Sequence, residues 1–534
     1  MEVVAIIPAR INTKRVPNKL LRIIGKHPLI YYTIRNAQLS KYITRIIVST
    51  DSDKIAIIAK QMDVECIMRD PAICNDDVAL DIVVYEAVKN INCDYVVTLQ
   101  PTSPLLKVKT LDQAIEKCVR NQKDAMISVI NKPHLAWERN ELGIIPQYRQ
   151  RLNSQFLPPY YIETGAFFIS KKSVITKDSR LGQVNDIYEI SKEEAISVCE
   201  MPDLALVNMM LNTKKVAFFV NGNNTRGMGH IYRVLELADE FYIKPDIYFD
   251  INQTDIASFG DTYYQLIGIN GWDEFYEKLR ENDYDVLIND ILSTDPEYMK
   301  GVRECNRNMK VINFEDEGKG AAYADLVINA LLSEVHGAKY CCGEQYYIVP
   351  KTFLYYEPVK IQKNVKRVLI SFGGADPSGY TLKLIRLIQE NKNFYSNYEF
   401  VVVVGRANKD KDEILKYNQF ENFSVYYDVD NMPDIMVRCD IAVTSRGRTG
   451  LELAVLGIPA ISIAQNSQEE THDFMSEKNG FLYLGYCPKD DVLISAFNRL
   501  LESHMEERKD MQNKMLKSDL RGGRDRVMHL IKSV

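Results

Sequence analysis

Arg10, Lys14 and Lys19 fall within ten residues of one another, directly behind the apolar run Val4-Ala5-Ile6-Ile7 and Pro8. Cations spaced this closely can neutralise polyphosphate oxygens through charge-assisted hydrogen bonds. The loop that holds them leaves the carboxyl edge of a buried strand, the edge at which open α/β sheets bind ligands. A solvated basic loop would carry the same charges. The strand in front and the segment Gly25-Lys26-His27-Pro28-Leu29-Ile30 behind, leading into a helix, make a triphosphate cradle the better reading. A second constellation is Asn221-Gly222-Asn223-Asn224-Thr225-Arg226-Gly227-Met228-Gly229-His230-Ile231-Tyr232-Arg233. It follows another apolar strand and precedes a helix over 231–241. Its glycines let the turn pass close to a ligand and let helix N–H groups point at it. His230 opens that helix and faces a cleft. A structural histidine is the alternative. The chain has seven histidines, and the Gly-x-Gly-His-x-x-Arg setting behind a strand favours a catalytic one. The stretch Gly447-Arg448-Thr449-Gly450-Leu451-Glu452 opens a third helix, and its first N–H groups could hold a diphosphate.

The elements that must position these residues read as an α/β protein of more than one domain. A chain of 534 residues predicts three or four compact units at about 150 residues each. Strands at 3–7, 45–49, 94–99, 125–129 and 166–170 alternate with helices at 29–39, 53–62, 80–90, 110–121 and 203–211. That pattern gives a mostly parallel sheet with helices on both faces. It restarts at Lys214 and again at Arg367, with no Gly/Ser or Pro linker between, so abutting domains are expected. Further strands fall at 285–288, 311–314, 326–328, 399–404, 424–427, 441–444 and 460–463. The boundaries are 1–212 for a Rossmann-like first domain, then 214–355 and 356–534 for two similar lobes with a ligand cleft between them. The charged segment 502–517 reads as a solvated helix.

Composition narrows the function classes. With 46% hydrophobic and 26% charged residues and a formal net charge of -6, the chain is an ordinary globular one. Its sequence pI of about 5.8 argues against a general nucleic-acid binder, which is usually basic. No apolar run approaches the roughly 20 residues of a membrane span. Met1-Glu2-Val3 lacks a basic n-region, so no signal peptide is expected. The ten cysteines are scattered without a CxxC framework, which points to reduced thiols and a cytoplasmic location.

The opening loop, together with Thr98-Leu99-Gln100-Pro101-Thr102-Ser103-Pro104-Leu105, resembles the sialic-type branch of the sugar-acid cytidylyltransferases. Val48-Ser49-Thr50-Asp51-Ser52-Asp53, the block from Arg69 to Asp77, and Glu163-Thr164-Gly165-Ala166-Phe167-Phe168 fit the same family in order, over about residues 1–212. The histidine string, Ser371-Phe372-Gly373-Gly374-Ala375-Asp376-Pro377 and Ser445 to Glu452 resemble the UDP-sugar hydrolase of the pseudaminic acid pathway, over about 214–534. That family is related to the two-lobed (GT-B) glycosyltransferases. The resemblances imply a bifunctional enzyme of nonulosonic (sialic-like) acid synthesis, serving cell-surface polysaccharides. Its substrates would be CTP and a nonulosonic acid for the first half, and a UDP-linked amino sugar for the second. They place Arg10, Lys14, Lys19 and Arg69 on the nucleotide, with Arg10 and Lys19 also catalytic. Gln100 and Ser103 would hold the sugar acid. His230 would act as general base on water, with Arg233 on the substrate. Gly374, Thr449 and Glu452 would face phosphate and ribose. A homodimer is one of the oligomeric states left open.

The sequence departs from these families at named positions. The Asp-x-Asp that sialic-type cytidylyltransferases carry for Mg²⁺ aligns with Ile196-Ser197-Val198-Cys199. Neither Ser197 nor Cys199 is the hard anionic ligand Mg²⁺ prefers. Mg²⁺ is still expected, held by other carboxylates such as Asp51 or Asp203, or by CTP phosphates alone. The glycine pair of the opening loop is Ile11-Asn12, the arginine after Ser-Pro-Leu is Leu106, and the asparagine before Gly-Ala is Thr164. In the second half, Asn289-Asp290-Ile291-Leu292 stands where a tyrosine often follows the third strand. Two other readings stay open. The second half could transfer its sugar to an acceptor other than water, or the first domain could bind nucleotide without turnover.

Overall fold

Val3, Ala5 and Ile7 pack into one core of the first domain, while Val4 and Ile6 pack into another on the opposite face. Strand side chains alternate in this way, so a strand buried on both faces reads as a continuous apolar run. The Val3–Ala9 strand is therefore the middle of a covered sheet. A computed structural model describes residues 1–11, 15–75, 77–141, 143–222, 228–332 and 339–534. It divides into two compact units, Met1–Thr213 and Lys214–Val534.

The sheet of the first unit runs Asn185–Glu189, Ala125–Asn131, Tyr161–Lys171, Tyr95–Leu99, Val3–Ala9, Arg45–Thr50, Glu65–Met68. All neighbours are parallel except Tyr161–Lys171, which is antiparallel to both of its partners. Helices Leu29–Leu39, Asp53–Gln61, Val108–Arg120 and Met201–Asn212 contribute to one core. Helix Leu80–Val88 covers the other face through Val84, Ala87 and Val88. The expected strands and helices are all present. The strands Glu65–Met68 and Asn185–Glu189, and the hairpin Trp137–Asn140 with Gly143–Pro146, were not expected. The two strands lie at the edges of the sheet and the hairpin is a separate two-stranded sheet, all largely exposed, so no buried face marks them in the sequence.

The second unit is two-lobed. Its first lobe holds an all-parallel sheet ordered Leu266–Ile269, Asp246–Asp250, Val216–Val220, Val286–Asp290, Lys310–Phe314, Leu326–Asn329, Tyr340–Cys342. Its second lobe holds Phe423–Tyr427, Glu399–Val404, Arg367–Ser371, Ile441–Ser445, Ala460–Ala464, Phe481–Tyr486, also parallel. The fold is thus a Rossmann-like α/β domain followed by a unit of two lobes, each built on a parallel sheet. The last helix, Gly523–Ser533, belongs by sequence to the range 356–534 yet packs on the first lobe. Its Val527, Met528 and Ile531 join Phe218, Val234 and Ile247 in one core.

One expectation is corrected. The helix Met505–Leu516 is not a solvated one, because Arg508, Met511 and Met515 are buried. These three positions share one helix face, at spacings of three and four, and Met511 and Met515 enter the second lobe's cores. Among the described residues no helix is long and apolar enough to cross a membrane.

Candidate active sites

In the first unit, the carboxyl ends of Val3–Ala9 and Tyr95–Leu99 open onto a small cavity of about 160 Å³. Arg10, Lys19 and Gln100 line it together, with Pro8, Pro101 and Thr102. The parallel pairing of the two strands brings these residues to one edge. Lys14 lies outside the described residues. Ile11 N–H donates to the Asp51 carboxylate at 2.8 Å, which ties the loop to the next strand's end. Arg69 donates to the Ser49 hydroxyl at 3.0 Å and its carbonyl at 2.8 Å. It thus sits at the same edge without lining the cavity. Gly165 has φ +74, and a Cβ there would overlap the Gln100 amide. That glycine lets the neighbouring strand pass beneath Gln100. The Ser103 side chain is buried and its hydroxyl has no partner among the described residues.

The Lys19 ammonium donates to the Val198 carbonyl at 2.8 Å. Burial pushes its pKa below the usual lysine range, and Arg15 and Arg10 act the same way against Cys199 and Asp203. The aligned metal positions offer no hard anion. The Ser197 hydroxyl donates to the Thr102 hydroxyl at 3.0 Å, and Cys199 Sγ is 3.9 Å from Ser197 Oγ. Asp203 accepts the backbone N–H groups of Cys199 and Glu200, both at 2.8 Å, and so caps the Met201–Asn212 helix. Among the described residues no group of three or more His, Cys, Asp or Glu could hold a metal ion. Among the described residues, Ser197 and Cys199 do not fit an Mg²⁺ held by protein side chains.

In the second unit, His230 is the second residue of the helix Gly229–Ala238 and is buried. Its Nδ1 lies 2.5 Å from Asp290 Oδ1, at the end of the adjacent Val286–Asp290 strand. A carboxylate only accepts, so Nδ1 carries the proton and donates it. Nε2 is then the atom able to take a proton. Arg233, one turn along, donates to both oxygens of Asp290, at 2.7 and 2.6 Å, and to Glu315. Burial alone would raise the Asp290 carboxyl, but Arg233 and His230 outweigh it and hold it below the usual carboxylate range. Arg233, expected on the substrate, has its guanidinium committed to these two carboxylates. Residues 223–227 of the glycine string lie outside the described residues.

Arg448, from the first turn of the helix Arg448–Leu456 in the second lobe, donates to Glu315 at 2.8 Å. A Cβ on Gly229 would overlap its guanidinium. The series His230, Asp290, Arg233, Glu315, Arg448 thus runs unbroken from one lobe to the other. A cavity of about 700 Å³ opens beside it, lined by Gly229, Arg233, Tyr347, Val429, Arg448 and Glu452 among others. Burial pushes the Glu452 carboxyl up to about 7, and Arg448 offsets this only in part. His230, expected to face a cleft, is not among the residues that line this cavity, and neither Gly374 nor Thr449 lines it. The latter two stand nearby at the carboxyl edge of the second lobe's sheet, whose strands Arg367–Ser371 and Ile441–Ser445 are neighbours. Gly374 is exposed with open space above it. Asp376 accepts from the N–H groups of Tyr380 and Thr381, at 2.9 and 2.8 Å, so the Asp-Pro pair begins a helix. Asp290, Glu315 and Arg448 were missed as functional residues. Each is an ordinary charged residue in the sequence, and only the fold brings them together.

Comparison with known proteins follows this division. Residues 4–201 match the family described as Cytidylyltransferase. Residues 369–523 match the glycosyltransferase family 28 C-terminal domain. An uncharacterised protein of Methanocaldococcus jannaschii is 31% identical over 284 residues, 48% of this chain and 57% of that one. The spore coat polysaccharide biosynthesis protein SpsG of Bacillus subtilis is 22% identical over 305 residues, 54% of this chain and 89% of that one. A Helicobacter pylori protein is 25% identical over 507 residues, 89% of this chain and 91% of that one. Its name is pseudaminic acid cytidylyltransferase and UDP-2,4-diacetamido-2,4,6-trideoxy-beta-L-altropyranose hydrolase.

Proposed function

We propose that this chain, a cytidylyltransferase-family domain joined to a domain ending in a glycosyltransferase family 28 module, is a bifunctional enzyme of nonulosonic acid synthesis. The first unit forms a CMP-sugar acid. The anomeric hydroxyl of the sugar acid attacks the α-phosphorus of CTP, and pyrophosphate leaves. Such transfers need positioning and charge neutralisation more than covalent help. Arg10 and Lys19 supply the charge, and Gln100 and Ser103 face the sugar acid. The second unit hydrolyses a UDP-linked amino sugar. Water gives its proton to His230 Nε2 as it attacks the anomeric carbon, and UDP leaves into the second lobe. The Asp290 carboxylate fixes the imidazole's tautomer and offsets the charge it gains. Gly374, Thr449 and Glu452 face the phosphates and ribose.

The observation that carries the hydrolytic half is the His230–Asp290 pair at 2.5 Å, beside a cavity that reaches Arg448 and Glu452. The cytidylyl half rests on the convergence of Arg10, Lys19 and Gln100. The experiment profiles the whole protein against CTP with nonulosonic acids, and against UDP-linked diacetamido sugars with no acceptor present. The reading expects pyrophosphate release in the first assay and UDP release in the second. UDP release that needs an added acceptor would make the second unit a glycosyltransferase. CTP binding without pyrophosphate release from any acid would make the first unit a binding module.

A further inference from the structure

The Lys19 ammonium is directed into the segment where a sialic-type cytidylyltransferase would hold its cation. It is anchored on the Val198 carbonyl at 2.8 Å, between Ser197 and Cys199. Those side chains offer a hydroxyl already bonded to Thr102 and a thiol, and Mg²⁺ prefers hard oxygen anions. Asp203 is engaged as a helix cap by two backbone N–H groups, and Asp51 is engaged by the Ile11 N–H. A fixed ammonium at this place supplies positive charge where a cation would, and it repels a second cation. Arg10 lines the same cavity and adds to both effects. We infer that the first unit binds CTP with no metal ligated by its own side chains, the positive charge at this place coming from Lys19 and Arg10. Any divalent ion enters only as part of the nucleotide complex. This rests on the reading of the first unit as a CTP site.

The test measures CTP binding to the full chain by calorimetry, in EDTA and in excess Mg²⁺. The inference expects the two affinities to agree within about threefold, and Lys19→Gln to lose tenfold or more in EDTA. A parent affinity that falls tenfold or more on chelation, with Lys19→Gln no weaker than the parent in EDTA, overturns the inference and leaves the CTP reading standing. No CTP binding under either condition overturns both. Mn²⁺ titration followed by electron paramagnetic resonance gives a readout independent of nucleotide. The parent and a Ser197→Ala/Cys199→Ala variant should bind the same amount of Mn²⁺, while Ser197→Asp/Cys199→Asp should gain one site. A site present in the parent and lost in the alanine variant would show that these positions do ligate metal, and would sink the proposal.

Discussion

A histidine that takes a proton at one nitrogen needs the proton on its other nitrogen fixed, and Asp290 does this for His230. His230→Asn should cut UDP release by about 10²–10⁴, the usual worth of general-base help. UDP-sugar binding should stay within a few-fold and CTP binding should not change. Steady-state UDP release and calorimetry on the same samples check this, and parent-rate release would rule out the base. Glu452 carries a pH prediction. Its carboxyl, raised from 4.5 to about 7, is neutral in the folded protein below that pH and ionised above it. Affinity for a UDP-linked diacetamido sugar should therefore fall as pH rises through about 7, because a new negative charge then faces an anionic diphosphate. Linkage gives the matching sign for stability. The folded state holds this proton more tightly than the unfolded state between about 4.5 and 7, so the contribution is lost as pH rises across that window. Glu452→Gln should flatten both profiles, and an unchanged slope in binding would remove Glu452 from the site. At this scale the sequence showed the histidine but not its partner. His230 stands in a distinctive string. Asp290 lies 60 positions away and is one aspartate among many until two parallel strand ends meet.

The helix Gly229–Ala238 is held at both ends by charges from elsewhere. At its start, Gly229 leaves room for Arg448, which reaches across to Glu315. Toward its end, Glu236 and Glu240 pair with Arg524 of the last helix. Gly229→Ala should displace the Arg448 guanidinium and leave Glu315 with Arg233 as its cation. UDP release should fall tenfold or more with CTP binding unchanged. A variant of parental activity would show that Arg448 swings aside without consequence. Periodicity made most elements legible, since buried strands and amphipathic helices repeat apolar residues at spacings of two and of three or four. It failed for Met505–Leu516, where two methionines and a buried arginine carry the inward face among charged residues. A buried methionine is worth about 2–5 kcal/mol when cut to alanine. Met515→Ala should therefore lower the melting temperature of the second unit, whereas a truly solvated helix would tolerate it.

For the molecule as a whole, the restart of the βα pattern at Lys214 was visible, and the structure divides at Thr213 and Lys214. The cores of the first unit draw on residues before 214, and those of the second on residues after it. The return of the last helix was not visible, because nothing in an amphipathic stretch says which of two lobes it will cover. Expressed separately, 1–213 and 214–534 should each fold, the first keeping CTP binding and the second UDP release. Shortening the second piece to 214–522 is the sharper test. It removes Val527, Met528 and Ile531 from the core that holds Phe218 and Val234. It also leaves Glu236 without Arg524, which further donates to the Val349 carbonyl at 2.8 Å. The loss should fall on the first lobe, which carries His230, although the cut is made at the far end of the chain. Hydrogen exchange should therefore quicken in the strands Val216–Val220 and Asp246–Asp250 before Arg367–Ser371 and Ile441–Ser445, and UDP release should disappear. Equal exchange in both lobes would mean that they unfold as one unit, and retained UDP release would show that the helix Gly229–Ala238 keeps its place without its final support.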